Sequence, residues 1–152
     1  MALVFVDTNV FFSARDNRYP QKVRLSSSWI DWLGTRQSGV VNLQVVNEFT
    51  NIAFKKLPEL AIESVFQAAD LIAVWGESPV EPETMLLARE LRRRYRYSWW
   101  DCILLASAIE LGCTHFLSED LQDGQVIEDG AGKTLTIVDP FAHTPEQILV
   151  SR

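Results

Sequence analysis

Four acidic positions in this chain have the residue type and setting for joint chemistry. They are Asp7 after an apolar run, Glu48 in Asn47-Glu48-Phe49, Asp101 in Ser98-Trp99-Trp100-Asp101, and Asp120 in Ser118-Glu119-Asp120-Leu121-Gln122-Asp123. Each also has a plain structural reading. Asp7 or Thr8 can cap a helix, Ser98-x-x-Asp101 has the form of a capping box, and Ser118 or Asp120 can cap as well. Glu48 taken alone reads better as a solvated glutamate on the polar stripe of a helix. Brought together, the four acids need another explanation. Like charges about 4 Å apart repel by roughly 4 kcal/mol per pair at an effective dielectric near 20, so a carboxylate cluster either takes up protons or holds cations. All-oxygen ligation selects Mg²⁺ or Mn²⁺. Such ions polarise a phosphodiester and activate water, so metal-dependent phosphodiester hydrolysis is the expected reaction class.

The elements that must position these acids are legible as alternating strands and helices. Residues 3–6 form a continuous apolar run, the pattern of a strand buried on both faces, and a short helix is expected over 10–14. Asp7 then lies at the carboxyl end of a central strand, the edge at which open α/β sheets bind ligands. The spacing of Leu25, Trp29, Trp32 and Leu33 predicts an amphipathic helix over 23–36, its tryptophan stripe either core or a docking groove for a partner helix. Further helices are expected over 43–56, 59–74 and 83–96, with a strand at Val40-Val41 and a short extended connector or edge strand at Pro79-Val80-Glu81-Pro82. In the 83–96 helix Leu86, Leu87, Leu91 and Tyr95 are assigned inward and the arginines outward. The helix after Ser98 is apolar on nearly every face, the mark of a buried helix, and closes at Gly112. Residues 114–117 read as a buried strand that again delivers acid at its end, with strands at Val126-Ile127 and 135–138. The fold class is α/β with a mostly parallel sheet.

Composition narrows the chemistry. With 152 residues and 47% hydrophobic content, one globular domain over 1–152 is expected, its last ten or so residues a tail. Two cysteines, Cys102 and Cys113, without CxxC spacing give neither a disulfide framework nor a zinc cluster, and both are expected to be buried thiols. His115 and His143 are too isolated for a zinc set or a Ser-His pair. A net charge of −6 argues against a surface that grips nucleic acid as a whole. Local help can come from a cation or from the basic stretch 89–96, where Arg92, Arg93 and Arg96 are candidates to border the cleft and bind phosphates. Gly130-Ala131-Gly132-Lys133-Thr134 superficially resembles the end of a phosphate-binding P-loop. Position 127 is Ile127 rather than glycine, and a β-branched run rather than a helix follows, so a turn between strands is expected. Met1 runs directly into the first strand without a basic leader, and no apolar run approaches a membrane span, so a cytoplasmic location is expected.

Val6-Asp7-Thr8-Asn9-Val10, Asn47-Glu48-Phe49, Ser98-Trp99-Trp100-Asp101 before an apolar helix, and Leu117-Ser118-Glu119-Asp120 resemble, in order and spacing, the PIN-domain nucleases, especially VapC-type toxins of toxin–antitoxin pairs. The resemblance spans residues 2 to about 141. It implies a three-layer sandwich with a central sheet of about five strands between helices. It implies metal-binding and catalytic roles for Asp7, Glu48, Asp101 and Asp120, with Glu119 or Asp123 as alternatives for the fourth acid and Thr8, Asn9, Ser98 and Ser118 in support. An RNA substrate, Mg²⁺ or Mn²⁺, a homodimer and a small inhibitory antitoxin follow from the same resemblance. One rival is a protein on this scaffold that binds RNA or serves in housekeeping RNA processing; the full set of acids argues against a binding-only role. Another is a receiver-like signalling domain, which needs paired acids after the first strand and an acceptor Asp after a central strand. Asp7 has no acidic neighbour, and Val41-Asn42 offers no acceptor.

Overall fold

The computed structural model describes residues 2–150; Met1 and the final two residues of the expected tail, Ser151 and Arg152, lie outside the described residues. Five strands form one sheet in the order β2-β1-β3-β5-β4: β1 (Val4–Val6), β2 (Gly39–Val40), β3 (His115–Leu117), β4 (Val126–Glu128) and β5 (Thr134–Val138). The first three and β5 are parallel, and β4 runs antiparallel at the edge. Every side chain of β1 is buried, as its unbroken apolar run requires of a strand covered on both faces. The register aligns Val6 with Leu117 and Leu117 with Val138. Asp7 and Ser118 therefore leave the sheet side by side at its carboxyl edge.

Helices cover the sheet: α1 (Thr8–Ser13), α2 (Pro20–Arg36), α3 (Leu43–Lys56), α4 (Ile62–Ala73), α5 (Pro82–Tyr95), α6 (Trp99–Glu110) and α7 (Pro145–Leu149). The expected α/β sandwich with a mostly parallel five-stranded sheet is the observed one. The helix from 43 to 56 has the expected bounds, while that expected over 59–74 starts later, at Ile62. The tail is not structureless. Thr144 and Gln147 form a capping box that starts α7, and Ile148 and Leu149 pack against the core. Leu86, assigned inward, is 58% exposed, and Thr84, Ala88 and Leu91 face inward on α5. The connector at 79–82 adds no strand; only an isolated bridge joins Asn42 and Ser78.

The core is continuous from Phe5 and Phe116, stacked with centroids 5.4 Å apart, through Trp29, Phe49 and the body of α6. Residues 102 to 109 of α6 are all buried, which explains why that helix has no polar stripe. Trp29 is core, and its Nε1 donates to the carbonyls of Pro140 (3.2 Å) and His143 (2.9 Å), fastening the segment after β5. Gly112 follows α6 at φ +80°, a left-handed position that glycine occupies without strain. Gly130-Ala131-Gly132 turns the β4–β5 hairpin, with the Asp129 carboxylate accepting from the backbone N–H of Ala131 (2.7 Å) and Lys133 (3.0 Å). It is a turn and not a phosphate loop. Both cysteines are free and buried. Among the described residues no helix is long and apolar enough to cross a membrane.

Candidate active site

Asp7 occupies the junction between β1 and α1 in extended conformation and caps α1, its Oδ1 accepting from the Thr8 N–H at 2.7 Å. Its Oδ2 accepts from Ser118 Oγ at 2.8 Å and from Asn9 Nδ2 at 3.2 Å. The cap and the chemical reading of Asp7 are therefore compatible. Burial raises the Asp7 pKa to about 7; the Ser118 and Thr8 hydrogen bonds oppose the shift, and the carboxylates of Asp101 and Glu48 add to it. A metal-free site thus holds Asp7 near its titration point at neutral pH.

Asn9 links two strand ends. Its Nδ2 lies within 3.1 Å of both Ser118 Oγ and Asp120 Oδ2, and its Oδ1 accepts from the Glu119 N–H at 3.4 Å. Ser118 is fully buried, and its hydroxyl accepts from the Asp120 N–H at 3.2 Å while donating to Asp7. One serine thus orients both acids. No helix starts there, so its capping reading gives way to a local turn.

Glu48 is half-buried on α3 rather than free in solvent. Its Oε2 accepts from Thr8 Oγ1 and its Oε1 from Gln44 Nε2, each at 2.9 Å. Asp101 is the third residue of α6. Its N–H donates to the Ser98 cap oxygen at 3.1 Å, and its Oδ2 accepts from the Ser98 hydroxyl at 2.8 Å. Burial raises the Asp101 pKa, Ser98 opposes the shift, and the Asp120 carboxylate adds to it. Ser98 is the helix cap, but the reciprocal half of the expected capping box is not formed: the Asp101 carboxylate takes the Ser98 hydroxyl rather than its backbone N–H, and lines the cavity.

Asp7, Glu48, Asp101 and Asp120 line one cavity of about 500 Å³. Glu119 also lines it but is bound to Lys22 Nζ at 2.8 Å. Asp123, the other alternative for the fourth acid, does not line it. Its Oδ1 accepts from the Asp139 N–H at 2.9 Å and its Oδ2 meets His143 Nε2 at 2.7 Å, so it fastens the chain after β5. Arg92, Arg93 and Arg96 line a separate depression and do not border the acids, and Arg93 is paired with Glu90. The basic side chains of the cavity are Arg18, Lys22 and Lys56. Arg18 is bound to Asp16 through Nε and Nη2, both at 2.8 Å.

These three cations, with Asp16, Tyr19 and Trp100, were missed in the sequence. Arg18, Lys22, Asp16 and Tyr19 follow α1 in a polar loop and the next helix start, where no periodicity assigns a direction; for Trp100 the one signal was its place beside Asp101. Among the described residues no three His, Cys, Asp or Glu side chains are drawn together closely enough to hold a metal ion as they stand. The acids instead ring an open cavity with oxygen atoms alone. An all-oxygen set of this kind, with Asp7 pushed up by burial and its neighbours, fits a hard divalent cation that keeps some of its waters.

A mostly parallel α/β sheet with a carboxylate-lined cavity at its carboxyl edge defines an α/β domain whose ligand-binding edge carries an acid cluster. The chain belongs to the PIN domain family, whose model matches residues 4–122 and so spans all four acids. PIN domains are generally nucleases. Among solved structures the chain is similar to a chain of a toxin–antitoxin complex from Klebsiella pneumoniae, with a TM-score of 0.63, 16% identity, and coverage of 91% of this chain and 98% of that one. That likeness is one of fold. No curated relative matches.

Proposed function

We propose that the chain is a Mg²⁺- or Mn²⁺-dependent endoribonuclease and the toxin of a toxin–antitoxin pair. The observation that carries this reading is the convergence of Asp7, Glu48, Asp101 and Asp120 on one cavity, with Asp7 held at a pKa of about 7 by burial and by its acidic neighbours. A divalent ion bound there supplies Lewis-acid polarisation of the phosphate and a water of lowered pKa. Asp7, Asp101 and Asp120 would hold it, with Glu48 completing the ring. Thr8, Asn9, Ser98 and Ser118 keep the four carboxylates aimed: Thr8 donates to Glu48, Asn9 to Asp7 and Asp120, Ser98 to Asp101 and Ser118 to Asp7. Asp7, with its raised pKa, would hold such an ion as the ionised carboxylate. Arg18, Lys22 and Lys56 offset the negative charge of the cavity along the path of the phosphate backbone.

The toxin assignment is supported by the shared fold with a chain of a toxin–antitoxin complex and by an apolar depression lined by Phe11, Ile30, Leu71, Val74 and Trp75. A small antitoxin would insert a segment there, and the toxin would act in the cytoplasm as a homodimer. The test incubates purified protein with single-stranded and structured RNA in Mg²⁺ or Mn²⁺. Cleavage abolished by EDTA and by Asp101→Asn is expected; cleavage that survives both would overturn the proposal. Growth arrest on expression, relieved by Asp101→Asn, separates a toxin from a housekeeping nuclease.

A further inference from the structure

Beside the acidic cavity is a second depression of about 530 Å³ whose lining, Glu48 apart, has no part in the hydrolytic chemistry. The two share Glu48 and Trp100. Pro79 and Val80 give the second depression an apolar wall, while Gln44 and Asn47 supply amides. Trp100 is 63% exposed, in the first turn of a helix that is buried from Cys102 to Ile109. An indole of that size left in water next to a carboxylate cavity offers a broad π face with no intramolecular partner among the described aromatic pairs. Tyr19, 54% exposed, lines the acidic cavity but not the second depression, and carries Arg18 and Lys22 at 5.6 and 5.7 Å from its ring centroid.

We propose that the second depression is a nucleobase subsite. An unpaired base of a single-stranded nucleic acid stacks on Trp100 with its edge towards Gln44 and Asn47, and the attached backbone passes into the acidic cavity beside Arg18, Lys22 and Lys56. Aromatic platforms with a basic track are the physical means by which single strands are held, because every base has a π face and every nucleotide a charge. A duplex hides those faces in its own stack, so the subsite selects against paired substrate. Its position through Glu48 and Trp100 puts the stacked base next to the phosphate that enters the acids. The path of the backbone rests on the nuclease reading; the stacking does not.

Binding in Ca²⁺, read by fluorescence anisotropy, tests the subsite without turnover. The probes are a short single-stranded RNA, the same sequence as a duplex, and a fully abasic strand of equal length. Trp100→Leu keeps apolar bulk and removes the π face; Trp100→Phe keeps a face. The leucine variant should weaken the intact strand by about tenfold or more, the phenylalanine variant should recover most of that, and neither should change the abasic strand or the duplex. Unchanged affinity for the intact strand would overturn the subsite, as would equal losses on intact and abasic strands, which would mark the face as a general docking surface. A chain that binds through Trp100 yet cleaves no RNA in any divalent ion would leave the subsite standing and remove the nuclease reading; cleavage with Trp100-independent binding would do the reverse.

Discussion

The Thr8 hydroxyl donates to Glu48 Oε2 at 2.9 Å and so joins α1 to α3 across forty residues of chain. Without that contact Glu48 would keep only its bond from Gln44 on the same helix. Thr8→Val preserves shape and removes the donor. Cleavage should fall while the fold is largely kept, because the loss acts through the aim of one carboxylate; a net hydrogen bond to a charged group contributes about 1.5–3 kcal/mol. RNA cleavage and thermal unfolding measured on the same preparation check this, and unchanged cleavage would remove Glu48 positioning from the account.

Asp7 sets a pH dependence for the metal-free protein. Its pKa is about 7 in the fold against an ordinary 3.8, so between those values the folded chain holds a proton that the unfolded chain has released. This group favours folding fully below pH 3.8, loses that contribution as pH rises, and levels off above about 7. Asp7→Asn should abolish cleavage and flatten the profile. In EDTA it should be more stable than wild type at pH 8, by on the order of 4 kcal/mol as an upper limit, relative to the difference at pH 4. Urea unfolding at the two pH values is the measurement, and a difference that does not change with pH would assign the titration elsewhere.

The three candidates for the fourth acid separate cleanly by partner. Asp120→Asn should abolish or strongly reduce cleavage. Glu119→Gln should leave most of it, since Glu119 is occupied by Lys22, and Asp123→Asn should leave it intact while loosening the segment that Trp29 and His143 fasten. Cleavage rates of the three variants, with proteolysis of the region after β5 as a second readout, decide the order. Loss of cleavage in Asp123→Asn alone would contradict the placement.

Ser98 has two duties that one substitution separates from those of Asp101. Ser98→Ala removes the helix cap, at about 1 kcal/mol of stability, and frees Asp101 Oδ2. Asp101→Asn keeps the cap acceptor and removes the charge. Calorimetry should therefore show the larger stability loss for Ser98→Ala and the cleavage assay the larger activity loss for Asp101→Asn; the opposite ranking would mean that Asp101 is a cap and nothing more.

A cation should stabilise the fold and release a proton near neutral pH, because Asp7 must ionise to become a ligand. Mn²⁺ titration in weakly buffered solution at pH 6.5 should show proton release and a raised melting temperature in wild type, with neither in Asp7→Asn. Stabilisation without proton release would place the ion at other acids.

Much of this site was readable before any coordinates. An apolar run such as β1 has only one way to be buried in a parallel sheet, and that put Asp7 at the ligand-binding edge; the apolar turns of α6 likewise identified a buried helix behind Asp101. Glu48 was harder, since an acid on a polar helical stripe has the same pattern whether it meets water or Thr8. Arg18 and Lys56 could not be assigned, because side-chain direction from a loop or a helix end depends on tertiary packing rather than on local period. The basic run on α5 misled for a related reason. Nearness in sequence to Asp101 is undone by the left-handed turn at Arg96, φ +64°, which breaks the helical direction before Ser98.

Strand order has a consequence for how the protein comes into being. β1 is made first but lies between β2 and β3, and Asp7 meets Ser118 across 111 residues. Such pairing is non-local, and it is slow for that reason. During synthesis the carboxylate of Asp7 leaves the ribosome with Thr8 and Asn9 but long before Ser118, its partner on β3's end, exists. A nascent chain ending within α6 has three of the four acids and no β3, so it lacks the contacts that assemble the cavity. Any activity that needs the four acids together is thereby withheld until β3 and Asp120 have been made.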